Sequence, residues 1–184
     1  MSLTTTTAVP TGTWVADAAH SKVGFSVKHL GIATVRGEFQ SFEGTLVIPE
    51  DLAGARAHGT IKVASVNTNE PQRDDHLRSP DFFDAEQYAE MTFESTSIEA
   101  LDEETFRITG DLTLHGVTKP VVLHADVQGT ETDPWGNERV ALEVTGQLNR
   151  ADFDMKFNQV LGSGNMLVSD KVKLSLDISA VKQS

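Results

Sequence analysis

The sequence predicts an all-β fold of about eight short antiparallel strands, with one short helical insertion near the middle. Three observations predict it. Apolar and polar residues alternate with period two along most of the chain. Turn residues recur at hairpin spacing. Only residues 65–93 break the alternation for long, with a charged helix-like run followed by the aromatic pair Phe82 and Phe83. At 184 residues, 39% hydrophobic and 23% charged, the chain has the size and composition of one globular domain with a sizeable core. Residues 13–184 are assigned to that domain.

Composition narrows the function classes. The absence of cysteine removes disulfides, thiolate chemistry and sulfur-ligated zinc together. A net charge of −12 argues against nucleic acid, whose phosphates attract Lys and Arg. It also disfavours adsorption to an anionic membrane surface; its simplest role is solubility. No apolar run approaches the ~18 residues that read as a membrane span, so stable membrane insertion is not expected. The opening MSLTTTTAVPTG has neither a basic region nor an apolar stretch of a secretory signal, so residues 1–12 are expected to form a flexible tail and the protein to be cytoplasmic.

The strands follow in order. Ordered sequence begins at Trp14. Val23, Phe25 and Val27 alternate with Lys22, Ser26 and Lys28, and Leu30-Gly31 starts a turn. Val35, Gly37 and Phe39 continue, and the apolar phase then slips to Phe42, Gly44, Leu46 and Ile48. Phe39 and Phe42 share a face only if a bulge or bend intervenes, for which Gly44 is suited. Ala57, Gly59, Ile61 and Val63 make the next strand; Met91 and Phe93 open another. Phe106, Ile108, Gly110, Leu112 and Leu114 give the longest clean alternation, with His115-Gly116 turning into Val121, Leu123, Ala125 and Val127. Val140, Leu142, Val144, Gly146 and Leu148 precede an irregular stretch, residues 151–166, containing Phe153 and Met155. Val172, Leu174, Leu176 and Ile178 close the chain, as though the last strand pairs with the first and removes two sheet edges.

Within the insertion, Pro71–Arg78 reads as a two-turn helix. Asn69 is placed as its cap with Gln72 returning the bond, and Asp74 and Arg78 are paired on an exposed face, worth about 0.3–0.5 kcal/mol. Pro80 stops the helix through the restriction on Ser79. So short a helix does not stand alone in water, and Leu77, Phe82 and Phe83 are its expected anchors. Five glycines on inward positions, Gly37, Gly44, Gly59, Gly110 and Gly146, indicate either strong coiling or an interior with room in it. Pattern alone leaves barrel and sandwich, hollow and filled, as alternatives. A hollow lined by these apolar side chains selects an apolar ligand, because a polar one would lose its hydration without return.

The phrases WVADAAHSKVGFSVKHLGIATVRGEF, NEPQRDDHLRSPDFFD, GDLTLHGVTKPVVL, NRADF and VSDKVKLSLDI, in this order and spacing, resemble the YceI family over residues 13–181. The resemblance implies an eight-stranded antiparallel lipocalin-like barrel with a short helix near the middle. It also implies non-catalytic binding, carriage or sequestration of a long amphiphile: a polyisoprenoid quinone or alcohol, or a fatty amide, held in a hydrophobic tunnel. The bound isoprenoid lipid or quinone is the expected ligand, with no cofactor, and relatives include homodimers. Two departures, Ala89 where the family often has Pro and Asp154 where it often has Gly, bear on loop shape. The expected tunnel lining is Phe25, Val27, Val35, Phe39, Phe42, Ile61, Phe83, Met91, Phe93, Leu112, Leu114, Leu123, Leu142, Phe153 and Met155. Arg73, Asp75 and His76 are the expected polar contacts to a head group.

Other motifs point less far. Asp74, Asp75 and His76 have the residue types of general acid–base catalysis, and an enzyme acting on a lipid or quinone head group through Asp75 and His76 is the alternative function. A short helix, however, turns neighbouring carboxylates to different faces, so no catalytic residue is assigned. The six histidines include no HExxH, and no metal is expected; His29 and His115 are expected to satisfy backbone groups at turns. Gly162-Ser163-Gly164 lacks the GxSxG nucleophile pattern and is expected to be a flexible lid.

Overall fold

The computed structural model describes residues 7–184. Its strands are β1 (Gly12–Ala16), β2 (Lys22–His29), β3 (Ala33–Phe39), β4 (Phe42–Ile48), β5 (Arg56–Lys62), β6 (Val66–Asn67), β7 (Glu90–Ala100), β8 (Thr105–Leu114), β9 (Val117–Thr132), β10 (Glu138–Asn149) and β11 (Val168–Lys182), with one helix, α1 (Pro71–Arg78). Every pairing is antiparallel. β1 pairs with both β4 and β11, which closes β1, β4, β5, β7, β8, β9, β10 and β11 into a ring of eight strands. The long β11 serves two partners: Ala180–Lys182 pair with β1, and Val168–Asp177 pair with β2. From β2 the sheet continues through β3 to the short β6. The eight-stranded barrel with a short central helix is therefore the fold of this chain.

Period-two patterning explains the wall. In β8, Phe106, Ile108, Gly110, Leu112 and Leu114 are buried while Arg107, Thr109, Asp111 and Thr113 face outward. The slip between Phe39 and Phe42 is not a bulge at Gly44. β3 ends at Phe39, Gln40 and Ser41 make a bend held by Ser65, and β4 begins at Phe42 against a different neighbour. Gly44 lies inside β4, directly opposite Gly59 of β5.

The inward glycines serve two purposes. A Cβ on Gly37 would fall 2.4 Å from the Phe25 ring, one on Gly110 2.4 Å from the Phe93 ring, and one on Gly146 2.7 Å from Leu123. These three are overlaid by large neighbours, so they do not leave empty space. Gly44 and Gly59 face each other without an overlying large side chain: the nearest atoms a Cβ would meet are backbone oxygens, His58 at 3.7 Å for Gly44 and Glu43 at 3.3 Å for Gly59.

The interior packs as two clusters. One, around Val23, Phe39, Val66, Phe82, Phe83, Met91 and Phe153, lies under α1 and its flanking loops; the other, around Trp14, Ile48, Phe106, Val140 and Ala180, fills the end where β1 closes the ring. Part of the expected tail belongs to the second. Val9 is 3% exposed, and the Trp14 indole N–H donates to the Pro10 carbonyl (3.0 Å), so residues 8–12 pack on the barrel. Residues 1–6 of that expectation lie outside the described residues.

α1 docks as its anchors require, but its charges are used differently from the expected scheme. The cap is Glu70, accepting from Gln72 N–H (3.2 Å), while Asn69 takes a left-handed φ of 63°. Asp74 does not meet Arg78. It is buried and accepts from the backbone N–H (2.9 Å) and hydroxyl (2.5 Å) of Thr68, tying the helix to the strand before it. Arg78 pairs with Asp75 and donates to the carbonyls of Ala64 (2.9 Å) and Val66 (3.3 Å).

Candidate functional site: a cavity between two packed ends

Between the two clusters lies a cavity of about 310 Å³. Inward side chains of the ring strands line it, including Leu46, Ile61, Met91, Phe93, Leu112, Leu123, Leu142, Leu174 and Leu176. Trp14 lines it from the end where the ring closes, and Leu77, Phe82 and Phe83 from α1 and the loop after it. Glu43 and His58 alternate outward and border the cavity beside the Gly44–Gly59 pair, where the wall is bare backbone. An apolar cavity of 150 Å³ stays dry and takes up apolar guests; this one is larger and lined in the same way.

All the expected lining residues border the cavity except Val35 and Phe153. Val35 stands opposite Val27 on β3, which has left the ring. Phe153 is spent on packing: it is buried in the cluster beneath α1, and its carbonyl bonds the His115 ring (3.0 Å), which thus serves a backbone group at its turn. His29 ends β2 with its own backbone carbonyl accepting from Ile32, and among the described residues its side chain makes no hydrogen bond. Gly162-Ser163-Gly164 turns a small exposed hairpin around the Val160–Met166 bridge.

The expected head-group contacts do not border the cavity. Arg73 donates to the Thr68 hydroxyl (2.7 Å) and carbonyl (2.8 Å). Asp75 is exposed beside Arg78. His76 bonds Asp81 (2.9 Å) with its ring edge-on to Phe82 and Phe157. Arg73, Asp75 and His76 occupy exposed positions of α1, whose inward positions are taken by Asp74, bonded to Thr68, and by Leu77, which borders the cavity.

The cation that does border the cavity is Arg150, 3% exposed. It begins a 3-10 turn, Arg150–Phe153, capped by Asn149, whose side chain accepts from Ala151 N–H (2.9 Å). Its guanidinium donates to the carbonyls of Met155 (2.8 Å), Ser169 (3.0 Å) and Val168 (3.3 Å), gathering both ends of the 154–167 loop, and faces the Phe82 ring at 6.0 Å. Burial lowers its pKa from the ordinary value, Asp170 at 3.5 Å opposes that shift, and an arginine so placed stays charged. A signal for it was present in the sequence: continuing the inward row Val144, Gly146, Leu148 by one more step of two lands on Arg150. Asp154, which ends the turn, has φ 59°, a left-handed conformation that glycine adopts without cost.

A YceI-like domain model matches residues 14–180. The chain belongs to the YceI family. It is 40% identical over 168 residues to the YceI protein of Escherichia coli, covering 91% of this chain and 84% of that one. A crystal structure of the Campylobacter jejuni YceI protein superposes with a TM-score of 0.72 at 34% identity, covering 91% of this chain and 96% of its own. A polyisoprenoid binding domain from Saccharophagus degradans, implicated in plant cell wall breakdown, superposes with a TM-score of 0.71 at 17% identity over 95% of this chain and all of its own, a likeness of fold alone. Among the described residues no helix is long and apolar enough to cross a membrane, and no three His, Asp or Glu side chains gather as metal ligands would.

Proposed function

We propose that this YceI-family protein binds and carries a long-chain isoprenoid lipid, a quinone or alcohol with a small polar head, with its apolar chain in the barrel cavity and its head toward Arg150. The observation that carries the reading is the cavity itself: apolar side chains from every ring strand, with one buried cation at its edge. The polyisoprenoid binding domain that shares the fold supports the same class of ligand. Each buried methylene contributes about 0.8 kcal/mol, so a five-carbon unit contributes roughly 3–4 kcal/mol gross. Eight units would exceed what noncovalent complexes reach, so ordering costs absorb much of the sum. The cavity lies at the small end of the ~300–1,000 Å³ range of ligand sites. A long chain therefore fills it and extends beyond, and discrimination between the longer chains is weak.

The proposed role is non-catalytic, because the acid–base candidates Asp75 and His76 are engaged with Arg78 and Asp81 outside the cavity. Native mass spectrometry of protein produced in a lipid-containing host should reveal a bound amphiphile, and delipidated protein should take up a prenyl quinone. No co-purifying lipid and no uptake would sink the proposal. Phe93→Asp should abolish uptake while Phe93→Leu preserves it. A turnover of the quinone head group that vanishes in His76→Ala, with binding intact, would establish the enzyme reading instead.

A further inference from the structure

The described residues include six large apolar side chains that are markedly exposed, and three of them meet at one place. Ile32, 78% exposed, sits on the β2–β3 turn; Val160 (66%) and Met166 (45%) are bridged in the loop before β11. The two segments form one tip. Leu30 N–H donates to the Leu167 carbonyl (3.0 Å), Leu167 N–H donates to the Gln159 carbonyl (2.8 Å), and Gly31 lies against the Asn165 side chain. Val27 and Val168, at the base of the tip, border the cavity, as do Arg150 and Met155 behind it.

The charge of the tip is opposite in sign to that of the molecule. Residues 25–37 and 155–169 contain no Asp or Glu, although the chain has 27 such residues, and they carry Lys28, Arg36 and Lys156. The acids that adjoin these stretches in sequence each lie beside a cation: Glu38 beside Lys22 (3.4 Å), Asp154 beside Lys156 (3.2 Å) and Asp170 beside Arg150 (3.5 Å). Net charge therefore misleads here: the −12 belongs to other surfaces. Exposed apolar side chains set among cations match an anionic lipid surface, where apolar groups enter the acyl boundary and each Lys or Arg gains from the negative potential.

We propose that this tip, Ile32 with Val160 and Met166, docks on an anionic lipid surface and brings the Arg150 end of the cavity against it. The proposal rests on the lipid-carrier reading for its purpose, but docking is measured without cargo, so the two fail separately. A protein that takes up quinone from detergent and ignores vesicles loses only the docking.

The test is co-sedimentation of delipidated protein with vesicles of phosphatidylcholine alone and of phosphatidylcholine with phosphatidylglycerol. Binding is expected to the mixed vesicles and to weaken with salt. Ile32→Asp combined with Val160→Asp should lower it by roughly tenfold or more, since losing one inserted apolar side chain is worth about that factor. Both positions are exposed and border no cavity, so uptake of prenyl quinone from detergent should be unchanged and serves as the check on folding. Trp135→Asp, on the acidic β9–β10 loop, should leave vesicle binding as it was. Absent binding, equal binding to neutral vesicles, or equal loss in the Trp135→Asp variant overturns the proposal. So does association confined to native membranes and removed by protease, which would mark a protein partner.

Discussion

The two ends of the barrel each employ an arginine, to different effect. At the end where β1 closes the ring, Arg139 of β10 bonds Asp17 after β1 (2.9 Å) and Asp133 in the β9–β10 loop (2.8 Å). All three side chains keep some contact with solvent, and the Arg139 guanidinium holds both carboxyls at about 2. At the other end Arg150 is buried, and backbone carbonyls of an irregular segment take most of its donors. The first arrangement is a charge clamp between elements that the sheet already aligns. The second supplies hydrogen-bond donors to both ends of a loop whose own backbone pairing is confined to its tip. Order at the closed end is thus redundant, whereas order at the cavity end rests on two side chains, Arg150 and Asn158, which brackets Val168 (2.7 and 3.0 Å).

The largest effect should come from removing Arg150. Arg150→Met leaves the Met155 and Ser169 carbonyls without their Arg150 donors, while Val168 keeps Asn158; at about 1–3 kcal/mol each, a loss of about 2–3 kcal/mol or more is expected as a lowered urea midpoint. Arg139→Met should cost distinctly less, because partly exposed ion pairs contribute little; equal losses would erase the contrast between the ends. Next in size is Gly110→Val, whose side chain would collide with the Phe93 ring and the Glu94 carbonyl, for about 1–3 kcal/mol of overpacking. Gly44→Ala, which meets only ordinary contacts, should change thermal stability by under about 1 kcal/mol on the same scale.

The clamp end also has a pH signature. Asp17 and Asp133 have folded pKa values lowered to about 2, chiefly by hydrogen bonds from Arg139, against about 3.9 for an unfolded Asp. Their contribution is therefore present above pH ~4 and lost as pH falls through the folded values. Urea midpoints measured between pH 5 and pH 2, values chosen to span roughly that window, should fall in the parent protein and by a modestly smaller amount in Arg139→Gln, as befits partly exposed pairs. The smallest effect belongs to Asp75→Ala, which removes one exposed pair with Arg78. It should move stability by no more than about 0.5 kcal/mol and leave lipid uptake unaltered.

Alternation made the wall legible. Period two assigns each residue to a face, and the inward rows of β7, β8, β9 and β10 follow directly from it. The anchoring of α1 by Leu77, Phe82 and Phe83 was readable for a similar reason, since a short helix beside an aromatic pair has nothing else to bury. Level along the barrel axis is not a periodic property, so nothing marked Val35 and Phe153 as lying beyond the cavity. The partners of Asp74 and Arg150 come through the fold, from Thr68 and from the carbonyls around residues 155–169. A search for opposite charges at helical spacing cannot find a carboxylate paired with a backbone amide. Arg150 itself stands in the inward row, but a charged residue at a strand end ordinarily reads as solvent-facing.

The double use of β11 has a consequence for how the chain becomes a barrel. Trp14 pairs with Lys182 and Val23 with Leu176, contacts that join nearly opposite ends of the sequence. Pairings so distant bear the largest loop-closure entropy and form slowly. Until residues 168–182 have left the ribosome, β10, β1 and β2 each lack one neighbour, and the ring cannot close. Until then the nascent protein holds an open, apolar trough with two bare edges, and a chaperone that shields sheet edges would find its longest task here.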